Sequence, residues 1–127
     1  MGFKIAGVEI RPIPSTMSTL SDRSTYTLLT TDIGNYLKYE GTTDLSLTVP
    51  AESSPPFEDN GVVTIEQSNT GQITFVGGVG VTITSKADLM TSKKGSVVYL
   101  KRTSQNNWIL YGDIMDNTNM AMLIAMA

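Results

Sequence analysis

Apolar and polar side chains alternate with a period of two through most of this chain. The run Leu45-Ser46-Leu47-Thr48-Val49 is the clearest case, and strict alternation marks a strand with one buried face. Tyr26-Thr27-Leu28-Leu29 and Tyr36-Leu37-Lys38-Tyr39 precede it, and similar runs follow at 61–67, 72–76, 79–84, 96–102 and 108–112. Turn chemistry separates them: Asp32-Ile33-Gly34-Asn35, Asn60-Gly61, Ser68-Asn69-Thr70-Gly71 and Ser104-Gln105-Asn106-Asn107. Residues 96–112 read as a β-hairpin, and 72–76 with 79–84 as a hairpin or as two adjacent short rungs. Residues 51–60 form a surface loop with Phe57 tucked back as its anchor. No helical period of ordinary length occurs before residue 113. Turns recurring roughly every 8–12 residues predict an all-β fold, a small antiparallel β-sandwich or barrel-like domain of about eight short strands.

The two ends break this pattern and set the expected organisation: an extended N-terminal arm and connector over 1–24, a β module over 25–113, and a short apolar, Met-rich C-terminal tail over 114–127. In the arm Phe3, Ile5, Val8 and Ile10 alternate loosely, and Pro12 and Pro14 then stop any ladder because each lacks an N–H. Residues 15–24 read as a loop. The arm suits either an edge strand of its own domain or addition to another chain. The tail runs Met120-Ala121-Met122-Leu123-Ile124-Ala125-Met126-Ala127. Unbranched methionines adapt to irregular surfaces, so the tail either folds back on its own sheet or docks on a neighbour. Phe3, Ile5, Val8, Ile10, Met120, Met122, Leu123 and Ile124 are therefore the candidate oligomer or shell contacts. The tail is far short of the ~20 apolar residues that span a bilayer. Lys4, Glu9 and Arg11 interrupt any leader-like apolar run. No membrane partner is expected.

Composition narrows the chemistry. The 127 residues include no cysteine and no histidine. That removes disulfides, thiolate zinc sites, cysteine nucleophiles and any Ser-His-Asp triad. Nine basic against twelve acidic side chains, formal charge −3, do not make a nucleic-acid footprint. The doublets Lys93-Lys94 and Lys101-Arg102 read as solvated faces. Seventeen threonines and twelve serines reinforce the strand pattern, since β-branched residues suit a pleated surface. Asp113 and Asp116 lack the spacing of a calcium loop, and Glu58-Asp59 reads as a solvated pair. Gly77-Gly78-Val79-Gly80 has no following helix or lysine to hold a phosphate. No catalytic residue, cofactor or metal is expected. Glycine-punctuated strands also suit packing around a threefold axis.

An ordered set of segments then resembles a known module. Tyr26-Thr27-Leu28, Asp32-x-Gly34-x-Tyr36-Leu37, Leu47-Thr48-Val49-Pro50, Gly61-x-Val63-Thr64-Ile65-x-Gln67 and Gly71-Gln72-Ile73-Thr74-Phe75 carry the first part. Gly78-x-Gly80-Val81-Thr82-Ile83, Gly95-Ser96-Val97-Val98-x-Leu100 and Trp108-Ile109-Leu110-x-Gly112-Asp113 carry the rest. Together they are similar to the β-rich structural module of tailed-bacteriophage virion proteins. The resemblance implies a non-enzymatic all-β unit of capsid decoration, head-fibre or tail-fibre type, often trimeric. For a free-standing chain of this size it implies a capsid decoration or cement protein. Such a protein is made in the host cytoplasm, carried on the virion, and binds the major capsid protein or other virion proteins as a homotrimer. The alternative is a tail-tip or fibre component that recognises a host receptor. In that case loops 51–60 and 86–95, with Tyr39, Tyr99 and Tyr111, meet the ligand.

Overall fold

A computed structural model of the chain describes residues 3–5, 8–10, 16–53 and 56–116. Among the described residues there are eleven strands: β1 (Phe3–Ile5), β2 (Val8–Ile10), β3 (Met17–Leu20), β4 (Thr25–Thr27), β5 (Tyr36–Tyr39), β6 (Leu45–Val49), β7 (Val62–Gln67), β8 (Ile73–Gly77), β9 (Thr82–Thr84), β10 (Val97–Ser104) and β11 (Asn107–Gly112). A single 3-10 turn, Thr30–Asp32, is the one helical element among the described residues. The Asp32 carboxylate holds that turn, accepting from the Leu29 N–H at 2.9 Å and the Tyr26 hydroxyl at 2.7 Å.

The all-β expectation therefore stands, but the antiparallel sandwich or barrel does not. From β3 to β8 the chain alternates between two sheets. One sheet has the order β3-β5-β7-β10-β11-β9, and the other β4-β6-β8. Each step returns the chain parallel to the strand it left: β3 beside β5, β5 beside β7, β4 beside β6, β6 beside β8. Three successive coils, each giving one strand to each sheet, make a short solenoid-like stack. Alternation cannot distinguish this from a sandwich, because both bury one face of every strand. The antiparallel hairpin β10–β11 then packs its first strand against β7 and closes the stack. Residues 96–112 thus form the expected hairpin. The segments 72–76 and 79–84 do not pair with each other: β9 runs parallel to β11 in the opposite sheet.

Inward residues from successive coils stack in register. Tyr26, Leu47 and Phe75 form one ladder, Leu37 and Ile65 a second, and Leu45 and Ile73 a third. All but Tyr26 are buried, and Tyr26 packs against the cluster. Between-coil distance is fixed by the ladder hydrogen bonds, so shape-matched aliphatic and aromatic side chains fill the interior without a helix. Gln67 and Thr91 are two of the buried polar residues, beside Asp32, Ser96 and Arg102. The Thr91 hydroxyl donates to Gln67 Oε1 at 2.5 Å, accepts from the Ile73 N–H at 3.0 Å, and so ties loop 86–95 to the third coil. The same loop bridges β8 through Met90 and the chain after β11 through Thr91 and Ile114.

The first coil begins earlier than the sequence suggests. Residues 17–20, read as loop, are β3 and pair with β5. A four-residue strand with only Leu20 buried gives too weak a period to detect. The arm also differs from a single extended strand. β1 and β2 pair antiparallel with each other, Phe3 opposite Ile10, in a sheet of their own. Of the proposed contacts, Met120, Met122, Leu123 and Ile124 lie outside the described residues, and for Phe3, Ile5, Val8 and Ile10 the strand pairing of β1 with β2 is what is described.

Candidate functional site

Period-two alternation that buries one side of the six-stranded sheet must turn the other side outward. On that outer face the strand registers set five residues in one lateral row. Met17 lies opposite Tyr36, Tyr36 opposite Thr64, Thr64 opposite Tyr99, and Tyr99 opposite Tyr111. The row crosses β3, β5, β7, β10 and β11. Met17 and Tyr111 at its ends are exposed, at 60% and 42%. The rings of Tyr99 and Tyr111 stack at 5.1 Å with 24° between their planes. Directly opposed aromatic residues on antiparallel strands are close enough for this.

Tyr36 is held differently. Its hydroxyl donates to Glu66 Oε1 at 2.5 Å, two positions along β7 from Thr64. Desolvation, reinforced by that hydrogen bond to a carboxylate, pushes the phenol up to about 12, so Tyr36 is a neutral donor at physiological pH. Lys38, Glu40, Glu66, Ser68 and Asn69 line a shallow polar depression beside the row. Aromatic rings beside hydroxyl, amide and charged groups form a surface suited to adhesion. Stacking rings supply contact area, and the polar rim supplies orientation.

Of the tyrosines expected outside, Tyr39 is not available. It is fully buried, and its hydroxyl lies 2.7 Å from the Arg23 carbonyl and 2.6 Å from that of Thr43. It closes the floor of the first two coils. It shares the buried face with Leu37, so the expectation that it meets a ligand does not hold. Tyr36 was the missed residue, because its place beside Thr64 arises from the parallel pairing of β5 with β7, which the sequence does not signal.

The second organised polar cluster is structural. Arg102 follows Val98 and Leu100 at period two, so it points inward and is only 7% exposed. The expected solvated Lys101-Arg102 doublet is split by the pleat. Glu52 engages Arg102 through both oxygens, at 2.8 Å from Nε and 3.0 Å from Nη2, and Asp59 takes Nη1 at 2.5 Å. Glu52 also accepts from the Asn106 N–H at 2.9 Å, while its own N–H donates to Asn106 Oδ1 at 2.9 Å. Asn106 sits at φ 58° in the β10–β11 turn. The Arg102 hydrogen bonds outweigh burial and hold the Glu52 carboxyl below its ordinary range. Asp59, read as part of a solvated pair, is 90% exposed yet engaged.

Asp113 does not turn to solvent alone: its Oδ2 accepts from the Ser96 hydroxyl at 2.9 Å. Among the described residues no group of three or more acidic side chains is placed to hold a metal ion. No helix among them is long and apolar enough to cross a membrane. Compared with protein families, curated proteins and solved structures, the chain matches none.

Proposed function

We propose that this chain is a non-enzymatic structural protein of a tailed-phage virion, and that it decorates the assembled head as a trimer and stabilises it. The tyrosine row across five hydrogen-bonded strands is the observation that supports this most. A backbone fixed by parallel ladders from β3 to β7 and antiparallel ones from β7 to β11 presents the contact groups with little conformational entropy left to lose on binding. Binding the assembled shell in preference to free subunits shifts the balance toward the intact particle by mass action. The partner is then the major capsid protein or another virion protein, and the chain's location is the virion.

One observation favours a second reading, a tail-tip or fibre component that recognises a host receptor. The polar depression around Lys38, Glu66 and Ser68 beside the tyrosines has the chemistry of a sugar-binding surface, rings for stacking and hydroxyls, amides and charges for orientation. Quantifying copies per purified particle separates the two. Copies in proportion to capsomers support head decoration, and copies in proportion to tail structures support the second reading. A protein absent from purified particles contradicts both.

A further inference from the structure

The two ends of the solenoid are unequal. The hairpin β10–β11 covers β7 at one end and β9 is the far edge of that sheet, whereas the first coil leaves both of its strands as sheet edges, β3 in one sheet and β4 in the other. The ladder bonds show which backbone groups are spent. The carbonyls of Thr16 and Leu20 accept from Tyr36 and Glu40 at 2.8 and 3.0 Å. In a parallel pair alternate residues face the partner, so Met17 and Thr19 turn their N–H and C=O groups away from β5. Likewise Ser24 accepts from Ser46, and Leu28 donates to Thr48, both at 2.9 Å. Thr25 and Thr27 therefore face outward. Neither strand contains a charged residue or a proline, the usual devices that protect an edge from pairing. Met17 and Leu29 beside this edge are large, apolar and 60% and 53% exposed.

We infer that the β3 edge of this first coil accepts the N-terminal arm of a second copy of the chain, which adds β1 or β2 as a further strand. This rests on the self-associating reading above and names its surface. The arm is already strand-forming, since Phe3–Ile5 and Val8–Ile10 pair in a two-stranded sheet. A two-stranded sheet alone is marginal in water and gains from a third strand. The connector over 11–15 has the sequence Arg11-Pro12-Ile13-Pro14-Ser15. Proline fixes φ and biases the preceding residue to extended backbone. Among the described residues β1 and β2 pair with each other and with neither β3 nor β4 of their own chain, so the edge is left for a neighbour's arm. Repeated around a symmetry axis, the exchange closes into a ring.

Hydrogen exchange on the full chain, followed residue by residue from dilute to concentrated solution, tests this directly. The outward amides of Met17 and Thr19 should gain at least about tenfold protection as oligomer forms, while inward-facing Ser18 and the β4 amides of Thr25 and Thr27 change little. Fast exchange at every concentration overturns the inference, and so does protection independent of concentration, which means capping within one chain. Thr19→Pro removes an outward N–H and no ladder bond. It should leave the circular dichroism spectrum intact and give a monomer by light scattering. A folded Thr19→Pro that still assembles also overturns the inference. If it does not fold, the exchange experiment decides alone. A chain that assembles through this edge yet is absent from particles retires the virion reading and keeps the interface.

Discussion

Phe57 stands edge-on to Trp108, with ring centroids 5.0 Å apart and 86° between the planes. One ring belongs to the loop that leaves β6, the other to the last strand of the closing hairpin. Loop 50–61 is therefore fastened to the far end of the solenoid instead of projecting from the second coil. Phe57→Ala should destabilise the protein by about 3 kcal/mol, the scale of a buried aromatic truncation. Denaturant unfolding followed by Trp108 fluorescence measures it. Chain order within the first two coils should persist.

The Glu52–Arg102 pair fastens the same loop by charge. Glu52→Gln leaves the inward guanidinium without its bidentate partner, whereas Asp59→Asn removes only a solvent-facing one. Thermal melts should show a clearly larger fall for Glu52→Gln.

The pH dependence follows from the depressed Glu52 carboxyl. A group held below its unfolded value stabilises the fold fully above that value, 4.5, and loses the contribution as pH falls through the folded value. The wild-type melting temperature should therefore decline on acidification below about 4.5. Glu52→Gln should flatten that part of the decline, and unchanged curvature would contradict the assignment.

Tyr36 gives the opposite sign. Its phenol is raised from 10.0 to about 12, so its contribution is complete below 10 and fades as pH rises through about 12. Spectrophotometric titration of the five tyrosines should show late-ionising rings. Tyr36→Phe should remove one late transition with the fold retained, while Tyr99→Phe should leave the Tyr36 transition in place.

Tyr99→Ala and Tyr111→Ala test the outer face. The stacked pair is worth about 0.5–1.5 kcal/mol beyond its area burial, so each single variant should remain folded. If the row is the adhesion surface, each should weaken binding to purified heads or to host glycans by about tenfold or more, the scale of one interface aromatic. Full binding by both variants would move the function off this face.

Much of the fold was legible in residues such as Leu45, Leu47 and Val49, whose alternation fixes both strand and buried face. The 96–112 hairpin was legible for the same reason, and Phe57 as a loop anchor because it is the one large apolar residue in a polar loop. What escaped was the partner of each strand. Leu47 lies between Tyr26 and Phe75, both a whole coil away in sequence, and a period of two carries no information about neighbours so distant. Arg102 shows the second limit. Its position in the alternation of β10 pointed inward, but a charged residue there is acceptable only if Glu52, fifty positions earlier, folds over it. The tyrosine row was half visible: Tyr99 and Tyr111 flank a readable hairpin, while Tyr36 joins them only through the parallel step from β5 to β7.

The parallel steps carry an evolutionary consequence. Tyr36 pairs with Thr64 and Leu45 with Ile73, so both sheets advance by the same number of residues between the second and third coils. A tandem duplication of that stretch would insert one complete storey beneath the hairpin lid, raising the column by about 4.8 Å while β10 passes from β7 to the equivalent new strand. Lineages of this molecule can thus vary in height by whole storeys while foundation and roof stay as they are.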